Sequence, residues 1–197
     1  MISPYAGIPH GRWAHRTDEI IAGYPLKMKD LVDIVQQSWI SLFSTTIGDK
    51  GFKLGEHFFP KPQIIAFFLH ELIPLEFASR YPGVWRGESA AADKDIVYIP
   101  DSSYSIEIKT SSHPSQIFGN RSYAQQVSVG KKSKSGYYLA INFGKFDKGA
   151  ARPTIRRIRF GWLDHSDWQG QPSATGQQAR LSAEVERGKL RLLWESA

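Results

Sequence analysis

The chain has 197 residues, 41% hydrophobic and 13% aromatic, which suits one domain with a sizeable core and excludes a disordered tail. It contains no cysteine, so disulfides, thiol nucleophiles and Cys-ligated zinc are excluded. The net charge is +6, with no signal-like opening and no apolar run near the ~18 residues of a membrane span, so a soluble, cytoplasmic protein is expected.

Residues 1–25 are rich in Gly, Pro and polar residues and read as a terminal wrap. Arg12, His15 and Arg16 could alternatively form an arm. TDEII carries a capping signal, with Thr17 or Asp18 placed before a short helix. From Lys27 to Phe43, Leu31, Ile34, Val35, Trp39, Leu42 and Phe43 recur at helical spacing. The Gly- and Pro-rich segment IGDKGFKLGEHFFPKP then reads as a loop. A second helix is predicted from Pro62, suited to a first helical turn, to about Arg80, apolar enough to be buried and kinked or divided at Pro74. His70 and Glu71 stand out on it, His70 reading as a satisfied edge histidine. Tyr81-Pro82-Gly83 is a turn, and Val84 to Glu88 a short strand from which Arg86 or Glu88 could face a site.

The following stretch, DKDIVYIPDSSYSIEIKTSS (93–112), has two alternating runs around Pro100-Asp101-Ser102-Ser103 and predicts a β-hairpin. Strand alternation puts Glu107 and Lys109 on one face and Ile106 and Ile108 on the other. Asp95 joins the first pair only if the strands meet around an odd-numbered loop or through a bulge; a plain four-residue loop turns it away. An Asp followed by Glu-x-Lys at hairpin distance is the PD-(D/E)xK arrangement of metal-dependent nucleases. Two carboxylates about 4 Å apart repel by roughly 4 kcal/mol at an effective dielectric near 20. A hard divalent cation such as Mg²⁺ relieves that repulsion while keeping water and phosphate as further ligands. Asp95, Glu107 and the Ile108 carbonyl are the candidate metal ligands, with Lys109 placed for the attacking water and the transition-state charge. The plainer alternative is a solvent-facing hairpin whose Glu107 and Lys109 form a weak surface pair.

After Lys109, TSSHPSQIFGNRS reads as a polar loop, whose Ser111, Ser112, His113, Gln116, Asn120 and Arg121 carry groups that bond phosphates and base edges. Ser122 to Val129 is a predicted short helix. GYYLAINF is a buried strand, and Thr154 to Leu163 another, on which Arg156 and Arg157 face opposite ways. Trp162 and Trp168 read as core. ARLSAEV and KLRLLW suggest a C-terminal hairpin around Glu186-Arg187-Gly188. Between Glu107 and Asp164 the only acid is Asp147, whereas Lys131, Lys132, Lys134 and eight further Lys or Arg residues lie there. So one-sided a run beside an acid pair favours a surface that meets a polyanion, over a merely solvated loop at GKKSKSG.

WRGESAAADKDIVYIPDSSYSIEIKTSSHPSQIFGNRSYAQQ resembles the ScaI-like type II restriction endonucleases, a branch of the PD-(D/E)xK superfamily. The likeness is chiefly from Trp85 to about Gln126 and weaker from Lys61 to Phe143. The resemblance implies Mg²⁺-dependent cleavage of double-stranded DNA by a homodimer. It also implies an α+β fold in which a mixed sheet of about five strands is flanked by helices, the superfamily's α-β-β-β-α-β core. In one domain, that gives an N-terminal arm and helix (1–45), a catalytic core (60–145) and C-terminal strands (153–195). An extra acid from a helix before the hairpin is common there, which makes Glu71 an accessory candidate in competition with Glu88 and, more weakly, Glu76. Gln125 or Gln126 would turn toward the cleft. The candidate DNA contacts are Ser111, Ser112, Asn120, Arg121, Gln125, Lys131 and Lys132. A repair or junction-resolving nuclease would use the same site on DNA structure rather than sequence, and a non-catalytic DNA-binding module would have no need of an acid pair.

Overall fold

The computed structural model describes residues 2–125, 132–146, 152–173 and 175–196. In chain order come α1 (Trp13–Ala22), α2 (Met28–Ser44), a small ribbon of β1 (Thr46–Ile47) and β2 (Phe52–Lys53), and α3 (Pro62–Arg80). Then follow β3 (Trp85–Gly87), β4 (Ile96–Tyr98), β5 (Ile106–Ser111), β6 (Phe118–Asn120), β7 (Gly136–Phe143) and β8 (Ile155–Leu163). The chain continues through β9 (Trp168–Gly170), β10 (Gln178–Leu181), α4 (Ala183–Lys189) and β11 (Leu190–Glu195). The central sheet runs β11-β8-β7-β5-β4-β3, antiparallel except for the parallel pair β5 and β7, and β6-β10-β9 form a second, three-stranded sheet. This is an α+β architecture with a mixed central sheet, one strand wider than expected.

Strand alternation sorts β5 and β7 between two cores. Ile106, Ile108, Leu139 and Ile141 pack under Leu31, Ile34, Ile65, Leu69 and Phe77 of α2 and α3. Tyr138 and Ala140, on the opposite face, pack with Ile117, Tyr123, Trp168, Ala179 and Val185 from the small sheet and α4. Both faces of β7 are therefore covered, which is why GYYLAINF is buried along its whole length. No helix among the described residues is long and apolar enough to cross a membrane.

Several local expectations are corrected. Thr17 does not cap a helix but lies buried inside α1, its hydroxyl 2.9 Å from the Trp13 carbonyl and 2.6 Å from that of Gly188. Helix α3 runs unbroken through Pro74 and is not wholly buried: one side packs on the sheet while Ile64, Phe67 and Leu75 face solvent. The IGDKGFKLGEHFFPKP loop carries the β1–β2 ribbon, apart from Thr46 just before it. The polar segment after Lys109 is partly strand, since β5 extends to Ser111 and β6 pairs with β10. A 3₁₀ turn at Arg121–Ala124 replaces the longer helix as far as residue 125, beyond which the expectation lies outside the described residues. No C-terminal hairpin forms: β10 and β11 belong to different sheets, because Ser182 caps α4 between them by accepting from the Val185 amide.

A buried polar network fixes the segment that follows β5. Arg159 donates to Glu186 Oε2 (3.2 Å), to Asn142 Oδ1 (2.9 Å) and to the Ser115 carbonyl. The Asn142 amide in turn donates to the carbonyls of His113 and Gln116, and the Ile117 amide donates to Glu186 Oε1. Arg159 thus sits beneath the chain and does not present its charge to a ligand at the surface.

Candidate active site

Strands β4 and β5 are joined by the seven residues 99–105 and pair at Ile96 and Ile106. One step further along that antiparallel register, Asp95 stands opposite Glu107, so the odd-loop condition is met. A 3₁₀ turn at Ser102–Tyr104, whose leading Asp101 accepts from the Ser103 amide, takes up the loop's length. Asp93 closes the preceding turn by accepting from Arg86 and from the Ser89 and Ala90 amides. Arg86 is thereby directed at the turn.

Asp95 is held through Oδ2, which accepts from the Ile108 amide at 2.6 Å and lies 3.7 Å from His70 Nδ1 of α3. Its Oδ1 meets Lys132 Nζ at 2.7 Å. Glu107 is only 2% exposed, so the surface-pair alternative is excluded. Its Oε1 accepts from Lys109 Nζ at 2.6 Å and from the Tyr123 hydroxyl. Its Oε2 lies 2.9 Å from Lys132 Nζ, but off the direction of a hydrogen bond, and is otherwise a buried oxygen without a partner. Lys109 also donates to the Ile108 carbonyl at 3.0 Å and lies 4.5 Å from the centre of the Tyr123 ring.

Charge and burial compete across this cluster. Burial alone would raise the Glu107 pKa, yet Lys109, Lys132 and Lys94 hold it well below the usual carboxylate range. Burial pushes the Lys94 ammonium down to about 8, against the pull of Glu107. Lys132 is raised: its desolvation is outweighed by Glu107 and Asp95. Burial lowers His70, with Asp95 opposing it. Burial and the neighbouring Glu107 both raise the Tyr123 phenol, which stays a neutral donor.

The remaining candidates divide. Glu71 and Glu88 line, with His70 and Asp95, a cleft of about 250 Å³ beside the acid pair. Glu88 Oε2 reaches to 3.8 Å from Lys132 Nζ, whereas Glu76 is bonded to Arg80. Ser111 is buried and accepts from the His113 amide, and the Arg121 guanidinium donates to the carbonyls of Ser173 and Gly176. Asn120 and Gln125 are exposed and Ser112 is half-buried. Lys131 and Gln126 lie outside the described residues. Tyr123 and Lys94 were not anticipated. Nothing in their spacing marks them, since Tyr123 reaches Glu107 only through the fold of β6 and its 3₁₀ turn.

Among the described residues no group of three or more His, Cys, Asp or Glu side chains forms a metal cluster. Two carboxylate oxygens nevertheless converge on one cationic point, and one of them is buried with no hydrogen-bond donor of its own. That donor set fits a hard divalent ion that binds through one or two carboxylates and completes its shell with water and phosphate.

A mixed sheet that carries an Asp opposite a Glu-x-Lys, under helices on one face, defines a nuclease core of the PD-(D/E)xK kind. Residues 3–194 match the family model described as ScaI restriction endonuclease. Type II restriction enzyme ScaI of Streptomyces caespitosus is 48% identical over 190 residues, covering 95% of this chain and 83% of that relative. No solved structure gives a significant match. The chain belongs to the ScaI restriction endonuclease family, and is a type II site-specific deoxyribonuclease.

Proposed function

We propose that the chain hydrolyses phosphodiester bonds of double-stranded DNA with Mg²⁺, which Asp95, Glu107 and the Ile108 carbonyl would hold. The observation that carries this reading is the convergence of Asp95 Oδ1 and Glu107 Oε2 on one point, with Lys109 beside it. When bound, the ion would polarise the scissile phosphate and lower the pKa of a coordinated water. Lys109 uses two of its three N–H bonds on Glu107 and Ile108, leaving one for the attacking water or a phosphate oxygen. Its charge offsets the negative charge that grows on the phosphate as water attacks phosphorus. The bond to the 3′ oxygen breaks, that oxygen takes a proton, and 5′-phosphate and 3′-hydroxyl ends result. Glu88, whose Oε2 lies 3.8 Å from the Lys132 ammonium that Asp95 and Glu107 also approach, suits the accessory acid role better than Glu71.

Ser112, Asn120, Gln125, Lys131 and Lys132 supply contacts to DNA, while Ser111 and Arg121 position the loops that carry such contacts. The enzyme works in the cytoplasm as a homodimer, each subunit cutting one strand, because a palindromic site mirrors a two-fold axis. Digestion of a phage genome of known sequence tests the reading. Discrete fragments should form with Mg²⁺, vanish in EDTA and vanish with Lys109→Ala. Cleavage that persists in EDTA or in Lys109→Ala refutes the roles assigned here.

A further inference from the structure

Lys132 is placed where the proposed metal would sit. Its Nζ bridges Asp95 Oδ1 at 2.7 Å and Glu107 Oε2 at 2.9 Å, and its side chain is only 18% exposed. An ordinary DNA-contacting lysine would hold its ammonium in solvent, where a phosphate can reach it. The two carboxylates already have two ammonium partners in direct contact, Lys109 and Lys132, which match their charge. A divalent ion entering the same space would meet a positive charge at hydrogen-bond distance from both of its ligands.

We propose that Lys132 is a displaceable counter-ion: it occupies the metal position in the DNA-free protein, keeps the acid pair converged, and must swing out before the metal binds. The inference rests on the assignment of Asp95 and Glu107 as metal ligands. The geometry of exit is present. The backbone on the C-terminal side of Lys132 is anchored, since the Ser133 carbonyl accepts from Lys94 and the Ser133 hydroxyl bonds with residue 135. With that anchor on its C-terminal side, the four-carbon stem of Lys132 is long enough to carry the ammonium out of the acid pair. Glu88, on the rim and well exposed, already lies 3.8 Å from the ammonium and offers it a second resting place. A DNA phosphate arriving at the cleft would offer a better one. Metal binding and DNA binding then reinforce each other, because each favours the same outward position of Lys132.

The test is Mg²⁺ titration of the DNA-free protein by calorimetry, with thermal unfolding in EDTA and in Mg²⁺. Lys132→Met should bind Mg²⁺ at least about ten-fold tighter than the natural chain, since nothing has to be displaced. It should also unfold at a lower temperature in EDTA, where the acids lose a counter-charge, and show a larger upward shift on adding Mg²⁺. Lys132→Gln, which keeps a polar end without charge, is measured alongside so that the result does not depend on the fold of one variant. Asp95→Asn separates the two readings. If Asp95→Asn abolishes Mg²⁺ binding but both Lys132 variants bind no tighter than the natural chain, the counter-ion role is overturned and the ligand assignment stands. If Asp95→Asn leaves Mg²⁺ binding intact, both are overturned.

Discussion

Replacing Tyr123 by Phe removes one oxygen atom and tests whether Glu107 is held by its surroundings or simply by its strand. The Tyr123 hydroxyl donates to Glu107 Oε1, which also takes the Lys109 ammonium at 2.6 Å. A hydrogen bond to a charged group contributes about 1.5–3 kcal/mol, and a buried carboxylate cannot replace the lost donor with bulk water. Because Lys109 stays on the same oxygen, the loss should fall at the low end, about 1.5–2 kcal/mol. The ring remains, so its packing against Trp168 (5.2 Å between centres) and its contact with Lys109 are retained. Urea unfolding in EDTA should therefore show Tyr123→Phe less stable by about that amount. Single-turnover cleavage in saturating Mg²⁺ should slow by about ten-fold, the equivalent of about 1.4 kcal/mol in the barrier, as Glu107 samples unproductive rotamers. Unchanged stability together with an unchanged cleavage rate would refute the idea that the phenol orients this carboxylate.

Arg159→Met should lower stability by about 3–5 kcal/mol in urea unfolding, because Glu186 and Asn142 are left buried without their partner. Adding Glu186→Leu should recover much of that loss; a double variant as unstable as the single one would contradict this. Gly161→Ala should cost about 3 kcal/mol by thermal melting, since a Cβ there would lie 2.0 Å from the Lys189 carbonyl oxygen and push β8 and β11 apart. Alongside Glu107, Asp93 should contribute to the acid limb of stability. Arg86 first, and then the Ser89 and Ala90 amides, depress its pKa below the unfolded value of about 3.9. Its contribution is therefore full above that value and fades as pH falls through the folded pKa. Asp93→Asn should be less stable than the natural chain near neutrality, and the gap should narrow steadily as pH falls below the unfolded value, as measured by unfolding across pH.

The sheet strands and the long helices were legible because their periods are strong: six apolar positions mark α2, and Pro62 marks the start of α3. The relation of Glu107 to Lys109 was legible for the same reason, since alternation along β5 fixes it. The face of Asp95 hung instead on the length of the turn, which the seven residues 99–105 settle. What could not be read was the second face. A strand of three residues such as β6 carries no usable period, and β10 was joined to β11 because an apolar-polar run looks alike in either sheet. Thr17 and Asp18 carry a capping signature but lie inside α1, because a hydroxyl before an acidic residue looks the same whether it starts a helix or bridges to a distant carbonyl. The basic run from 131 to 159 was legible as charge but not as destination. Lys132 turns into the acid pair, Arg159 goes under the post-β5 segment, and Arg157 pairs with Glu195.

The order in which these elements leave the ribosome sets when the enzyme can become itself. Asp95, Glu107 and Lys109 are all made in the first 109 residues, yet β5 needs the later β7 beside it. Arg159 needs Glu186, and the N-terminal segment is tied to later parts of the chain through Ser3 to Asp164 and Thr17 to Gly188. Contacts separated by so much chain close late and slowly. A product stopped before residue 183 would carry every residue of the triad and still leave Arg159 buried without its carboxylate. Interrupted synthesis should then yield unfolded chains, cleared by proteolysis, with no half-controlled nuclease loose beside the cell's own DNA.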